Sequence, residues 1–244
     1  QLQKKTILEV IARVWKMPQD DYIYTSSKRI KKVFNETYVF DQVFVHTKDP
    51  LSKRVDLSKV LNTIQRELPT YIGQLVDSIM IGDFKELRRE PPIVAFYENG
   101  ALFVTNDPPN TEAMIKSIVH EYAHALEEAM GLEIYYDNSI EDEFVRKRLL
   151  LKNKLEDYEV PIPFGSREFM NCEYSQDFDE YLYDIGYEKL GKLMTGIFVN
   201  PYSATSLREY FASGFEEFIL TDGKFLSETC PVLYQKLSSL VRQH

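Results

Sequence analysis

The chain has 244 residues, 44% of them hydrophobic and 27% charged, an ordinary globular composition with enough length to bury a sizeable core. A formal net charge of −9 argues against a nucleic-acid partner, which needs a basic surface to neutralise phosphates. No apolar run approaches the roughly 20 residues that span a bilayer, and two cysteines, Cys172 and Cys230, are too few for a disulfide framework and pair only if the fold brings them together.

The first 55 residues read as a small N-terminal packing or docking subdomain. Ile7, Val10, Ile11 and Val14 recur at helical spacing, and the chain turns β-like and aromatic at 22–24 and again over 38–45. The opening Gln1-Leu2-Gln3 has neither an initiating Met nor a signal peptide, so the chain is expected to be a processed product or part of a longer polypeptide. Two basic runs, 28–32 and Arg146-Lys147-Arg148, read as solvated helix faces.

From residue 56 onward the pattern is that of one catalytic-sized α+β domain. Leu57, Val60, Leu61, Ile64 and Leu68 predict a helix stopped by Pro69, and 76–81 predicts a strand. Two β-rich runs, 93–97 and 101–105, flank Asn99-Gly100, a strong hairpin signal. An exposed strand here would bind an extended peptide by strand addition, with Leu102, Phe103 and Val104 as the substrate-facing residues. The alternative is a hairpin that only closes the sheet.

The next element carries the most informative stretch of the chain. Met114, Ile115, Ile118, Val119, Ala123, Leu126 and Met130 mark an amphipathic helix, capped near Thr111-Glu112 and stopped by Gly131. Inside it, His120-Glu121-Tyr122-Ala123-His124 spells HExxH. Two histidines four residues apart share one helical face, so both imidazoles can reach one cation, and Zn²⁺ favours such nitrogen ligands. Glu121 follows the first histidine, where its carboxylate can take a proton from water at the open coordination position. Only two other histidines exist, His46 and His244, and composition alone yields this pattern in roughly six such chains per thousand. Both histidines lie on or beside the apolar stripe, where an unpaired imidazole is costly to bury and a metal removes that cost.

Residues 131–244 read as mostly helical, with helices expected over 138–158, 177–197, 206–220 and 230–241 and a proline-rich loop near 161–165. HExxH needs a third protein ligand, and no third histidine follows closely enough to serve. Carboxylates on the helix over 206–218 are the candidates. Glu209 lies near its N-terminus, Glu216 is the rival, and Glu217 looks solvated. An acidic first turn also complements the helix dipole, which is the structural explanation for Glu209. The small Ala212, Ser213 and Gly214 would let another helix approach closely.

The stretches HEYAHALEE and PYSATSLREYFASGFEEF together resemble the catalytic core of the anthrax lethal factor-type zinc metallopeptidases, which include the Pro-Pro endopeptidases and occur in bacterial toxins and mobile elements. The resemblance covers roughly 56–131 and 198–244. It implies a zincin-like domain with a small mixed sheet, and Zn²⁺ held by His120, His124 and Glu209. Glu209 matches the ligand that precedes an aromatic-Phe-Ala-x-x-Phe helix. It also implies that Tyr202, seven residues before that glutamate, donates to the oxyanion. The expected activity is endopeptidase cleavage of a protein or peptide, and the expected setting is export or delivery into another cell. Residues 132–197 exceed the family core and are expected to form a helical insertion. The competing expectation is a catalytically silent zincin fold kept as a structural or binding module of a larger toxin or phage-particle protein.

Overall fold

The computed structural model describes residues 36–88 and 92–242. The patterns noted at 7–14, 22–24 and 28–32 lie outside the described residues. Strands β1 (Glu36–Val39), β2 (Val43–Thr47), β3 (Ser78–Gly82), β4 (Ala95–Glu98) and β5 (Ala101–Thr105) form a five-stranded sheet in the order β1-β2-β3-β5-β4. The sheet is mixed: β2, β3 and β5 run parallel, and β1 and β4 are antiparallel edges. Its alternating residues Val43, Val45, Ile79, Ile81, Leu102 and Val104 are fully buried, the mark of one face packed against a core.

Two helices supply that core. Helix α1 (Leu57–Glu67) buries Val60, Leu61 and Ile64, and Asp56 caps it by accepting from the Lys59 N–H at 3.0 Å. It ends before Pro69, which begins the short helix α2 (Thr70–Gly73). Helix α3 (Thr111–Tyr135) carries the two histidines. Asn110 caps it through the Ala113 N–H, and Met114, Ile115, Ile118, Val119, Tyr122 and Leu126 are buried. Gly131 does not stop α3. The helix breaks at Met130 (φ −127°, ψ 18°) and resumes to Tyr135, because Ile134 is buried and the Tyr135 hydroxyl donates to Glu127 at 2.7 Å.

The expected boundary near residue 55 does not fall at a break in packing. β2 pairs with β3 in parallel, and Val39, Phe40, Val43 and Val45 belong to the same core as α1 and α3. Residues 36–55 are therefore part of the sheet domain. A local reading of the sequence missed this because parallel pairing across α1 is not a local property.

The remainder is helical: α4 (Ser139–Asp157), α5 (Ser166–Phe169), α6 (Gln176–Ile185), α7 (Tyr187–Leu193), α8 (Leu207–Leu220), α9 (Lys224–Thr229) and α10 (Pro231–Arg242). The helix expected over 177–197 is two helices, because Gly186 adopts φ +88° between α6 and α7. Helix α4 is built into the domain core. Glu143 is buried and accepts from the Tyr210 hydroxyl at 2.8 Å and from the Val232 and Leu233 N–H groups at the start of α10.

The basic run on α4 is not a solvated face either. Arg146 is exposed, but Lys147 donates to the Ile197 and Thr229 carbonyls. Arg148 is buried, donates to the Asn171 and Glu168 carbonyls, and stacks 3.8 Å from the Phe178 ring centroid. Both cations donate to backbone carbonyls of the segments packed around α4, two of them in loops and two at the ends of the short helices α5 and α9. Among the described residues no helix is long and apolar enough to cross a membrane.

Candidate metal centre

Helices α3 and α8 meet along the face that carries the chemistry. Ser206 caps α8 by accepting from the Glu209 N–H at 3.2 Å, which fixes Glu209 in the first turn and points it across to α3. Close approach is possible because Ala212, Ser213 and Gly214 are small and buried. An added Cβ on Gly214 would collide with Leu233 of α10. The expectation that these small residues admit a neighbouring helix holds, with α10 as that neighbour.

His120, His124 and Glu209 each place one ligand atom within 4.8 Å of the other two. His120 Nε2 is 2.9 Å from Glu209 Oε2, and His124 Nε2 is 3.7 Å from Glu209 Oε1. The opposite ring nitrogens face other carboxylates. His120 Nδ1 is 3.8 Å from Glu216 Oε2, and His124 Nδ1 is 3.5 Å from Glu127 Oε2. Glu216, the rival third ligand, thus lies on the far nitrogen of His120.

The electrostatics are those of a cation site. Burial acts against a charged His120, but the carboxylates of Glu209 and Glu216 outweigh it and push its pKa up to about 10. Burial alone would raise Glu209; His120, His124 and Arg208 together hold it below the usual carboxylate range. Four carboxylates (Glu121, Glu127, Glu209 and Glu216) crowd two imidazoles, and the nearest cations are Lys116 and Arg208. A divalent cation between the three ligand atoms would replace the proton on imidazole nitrogen and balance the excess negative charge. The donor set of two imidazoles and one carboxylate suits Zn²⁺.

His120, His124 and Glu209 line a cleft of about 570 Å³. Glu121 lines it too; it is 6% exposed, and burial raises its pKa. Tyr202 lies in a 3₁₀ turn (Tyr202–Ala204) and also lines the cleft, its ring centroid 6.0 Å from that of His120. The structure therefore brings together all five residues expected of the metal and catalytic set.

It does not bring in Leu102, Phe103 and Val104. β5 lies between β3 and β4 with both ladders occupied, and Leu102 and Val104 are fully buried. Phe103 stacks on Phe96 at 4.7 Å between centroids. The edge that lines the cleft is β4 and the segment before it, residues 92–97. The arm singled out from the sequence, β5, is therefore not the edge strand of the hairpin. Strand order decides which arm is the edge, and alternation is the same on both.

Glu127, Lys116, Arg208 and Tyr187 were not singled out from the sequence. Glu127 is three residues after His124 and Glu216 seven after Glu209, spacings that place each on its ligand's helical face. That signal was present, but ordinary surface glutamates share it. Cys172 and Cys230 are both free thiols. No family model, no curated protein and no solved structure matches the chain.

Proposed function

We propose that the chain is a zinc-dependent endopeptidase with a zincin-like catalytic domain, of the kind its resemblance to lethal factor-type metallopeptidases implies. The observation that carries this reading is the convergence of His120, His124 and Glu209 within 4.8 Å, in a cleft that Glu121 and Tyr202 also line. Glu209 is 85 residues from His124 in sequence, so only the fold could assemble the set.

Zinc held by His120, His124 and Glu209 would supply Lewis-acid polarisation of a scissile carbonyl and lower the pKa of water. Glu121 would accept a proton from the attacking water and deliver it to the leaving amine nitrogen. Burial raises the pKa of its carboxylate and makes it a stronger base than one in solvent, while His120, His124 and the Tyr97 backbone N–H oppose that rise. Tyr202 donates its hydroxyl to the oxyanion of the tetrahedral intermediate.

β4 aligns the substrate. The Thr105 N–H bonds to the Val94 carbonyl, so Val94, Phe96 and Glu98 turn their backbone groups toward β5. Ala95 and Tyr97 turn theirs toward the open edge. Tyr97 faces Glu121, which leaves the Ala95 N–H and carbonyl to pair with an extended peptide. The silent-module alternative would have residues 132–197 seal the cleft, yet of these only Tyr187 lines it.

Mass-spectrometric analysis of a peptide library incubated with the zinc-loaded chain tests the proposal. The parent is expected to cut internal peptide bonds, and Glu121→Gln to keep zinc and leave the library intact. Equal cleavage by both proteins would refute the mechanism.

A further inference from the structure

Both imidazoles turn Nε2 toward Glu209, which leaves each Nδ1 facing away from the ligand cluster. His124 Nδ1 is buried without a hydrogen-bond partner, and the nearest acceptor is Glu127 Oε2 at 3.5 Å. An orphaned buried N–H is costly, so this contact is a natural place for a bond to close. On α8 the arrangement repeats: His120 Nδ1 lies 3.8 Å from Glu216 Oε2.

Resting on the zinc reading above, we propose that Glu127 and Glu216 are positioning residues for the metal site, each holding one ligand imidazole through Nδ1. A carboxylate at Nδ1 keeps the single proton of a neutral imidazole on that nitrogen. The Nε2 lone pair is then fixed toward Glu209, where a metal would be held, and the ring loses its freedom to rotate.

Neither carboxylate is adrift. Tyr135 donates to Glu127 Oε1 at 2.7 Å, and Arg208 Nε donates to Glu127 Oε2 at 2.8 Å. Lys116 Nζ sits 3.4 Å from Glu216 Oε1. Tyr135 reaches Glu127 only because α3 resumes beyond its break at Met130. Arg208 immediately precedes Glu209, so α8 supplies both the third ligand and the brace for the second histidine. The helical break that contradicted the Gly131 stop therefore serves the metal site.

A purely structural role would lower thermal stability and leave zinc affinity of the folded chain alone. Competition with a chromogenic chelator separates the two, using the parent chain and Glu127→Gln, Glu127→Ala, Glu216→Ala and Tyr135→Phe. The alanine variants are expected to bind zinc about 10–100-fold more weakly, with Glu127→Gln recovering part of the loss and Tyr135→Phe losing less. In cobalt-substituted protein, the visible absorption band of Glu127→Ala is expected to shift, since a reoriented imidazole alters the ligand field. Glu127→Gln preserves volume, so it reads the metal site even if the alanine variant fails to fold. Folded variants that hold zinc within about twofold of the parent would overturn the proposal. A parent chain that takes up no zinc would overturn the metal reading itself, and this inference with it.

Discussion

Glu121 and Tyr202 are asked for different things, and their variants should fail differently. Glu121→Gln keeps the shape and removes the base, so turnover should fall about 10²–10⁴-fold with zinc content unchanged. Tyr202→Phe removes one oxyanion donor, so kcat should fall roughly 10²–10³-fold while KM stays nearly constant. A KM that rises with kcat intact would instead make Tyr202 a substrate-binding residue. The cysteines give a prediction outside the cleft. Burial, with Glu141 nearby, pushes the Cys172 thiol up to about 11, and Cys230 is fully buried. At pH 8 the reactive thiolate of Cys172 is then about one part in a thousand. Iodoacetamide labelling of the folded chain should be slow at pH 8, quicken as pH rises toward that value, and be fast in urea. Rapid labelling of the folded chain at pH 8 would contradict the placement of Cys172.

Helix α8 and its neighbours decide whether those residues meet. Gly214→Ala gains helix propensity but drives a methyl into the buried Leu233 of α10. Overpacking should win by about 1–2 kcal/mol net, seen as a lower melting temperature by circular dichroism. A rise in melting temperature would mean that α8 and α10 have room to separate. Arg148→Ala should cost about 3 kcal/mol, because the Asn171 and Glu168 carbonyls each lose the guanidinium hydrogen bond and the Phe178 ring loses its stacking partner.

These elements also show what a sequence can and cannot reveal. The Asn99-Gly100 turn was legible because both residues must take positive φ, and they do, at 49° and 79°. The stop of α1 before Pro69 was legible for a similarly local reason, since proline cannot continue a helix. The burial of Lys147 and Arg148 was not, since their partners are backbone carbonyls 20–82 residues away. Nor was the identity of the edge strand, which follows from β5 pairing with β3 across the sheet. The clustering of His120 with His124 was readable because HExxH compresses its geometry into one helical turn, whereas Glu216 and Glu127 differ from solvated glutamates only by what faces them.

At the scale of the whole molecule, one core joins a mixed sheet to a helical half, and the cleft runs where they meet. The sheet supplies an open edge in β4, α3 supplies His120, Glu121 and His124, and α8 supplies Glu209. The central claim is that these three side chains hold one zinc ion. Elemental analysis of the purified parent chain and of Glu209→Ala, each reconstituted with zinc and desalted, tests it most directly. The account predicts about one zinc per parent chain and little in the variant. No zinc in the parent, or full occupancy in Glu209→Ala, would contradict it.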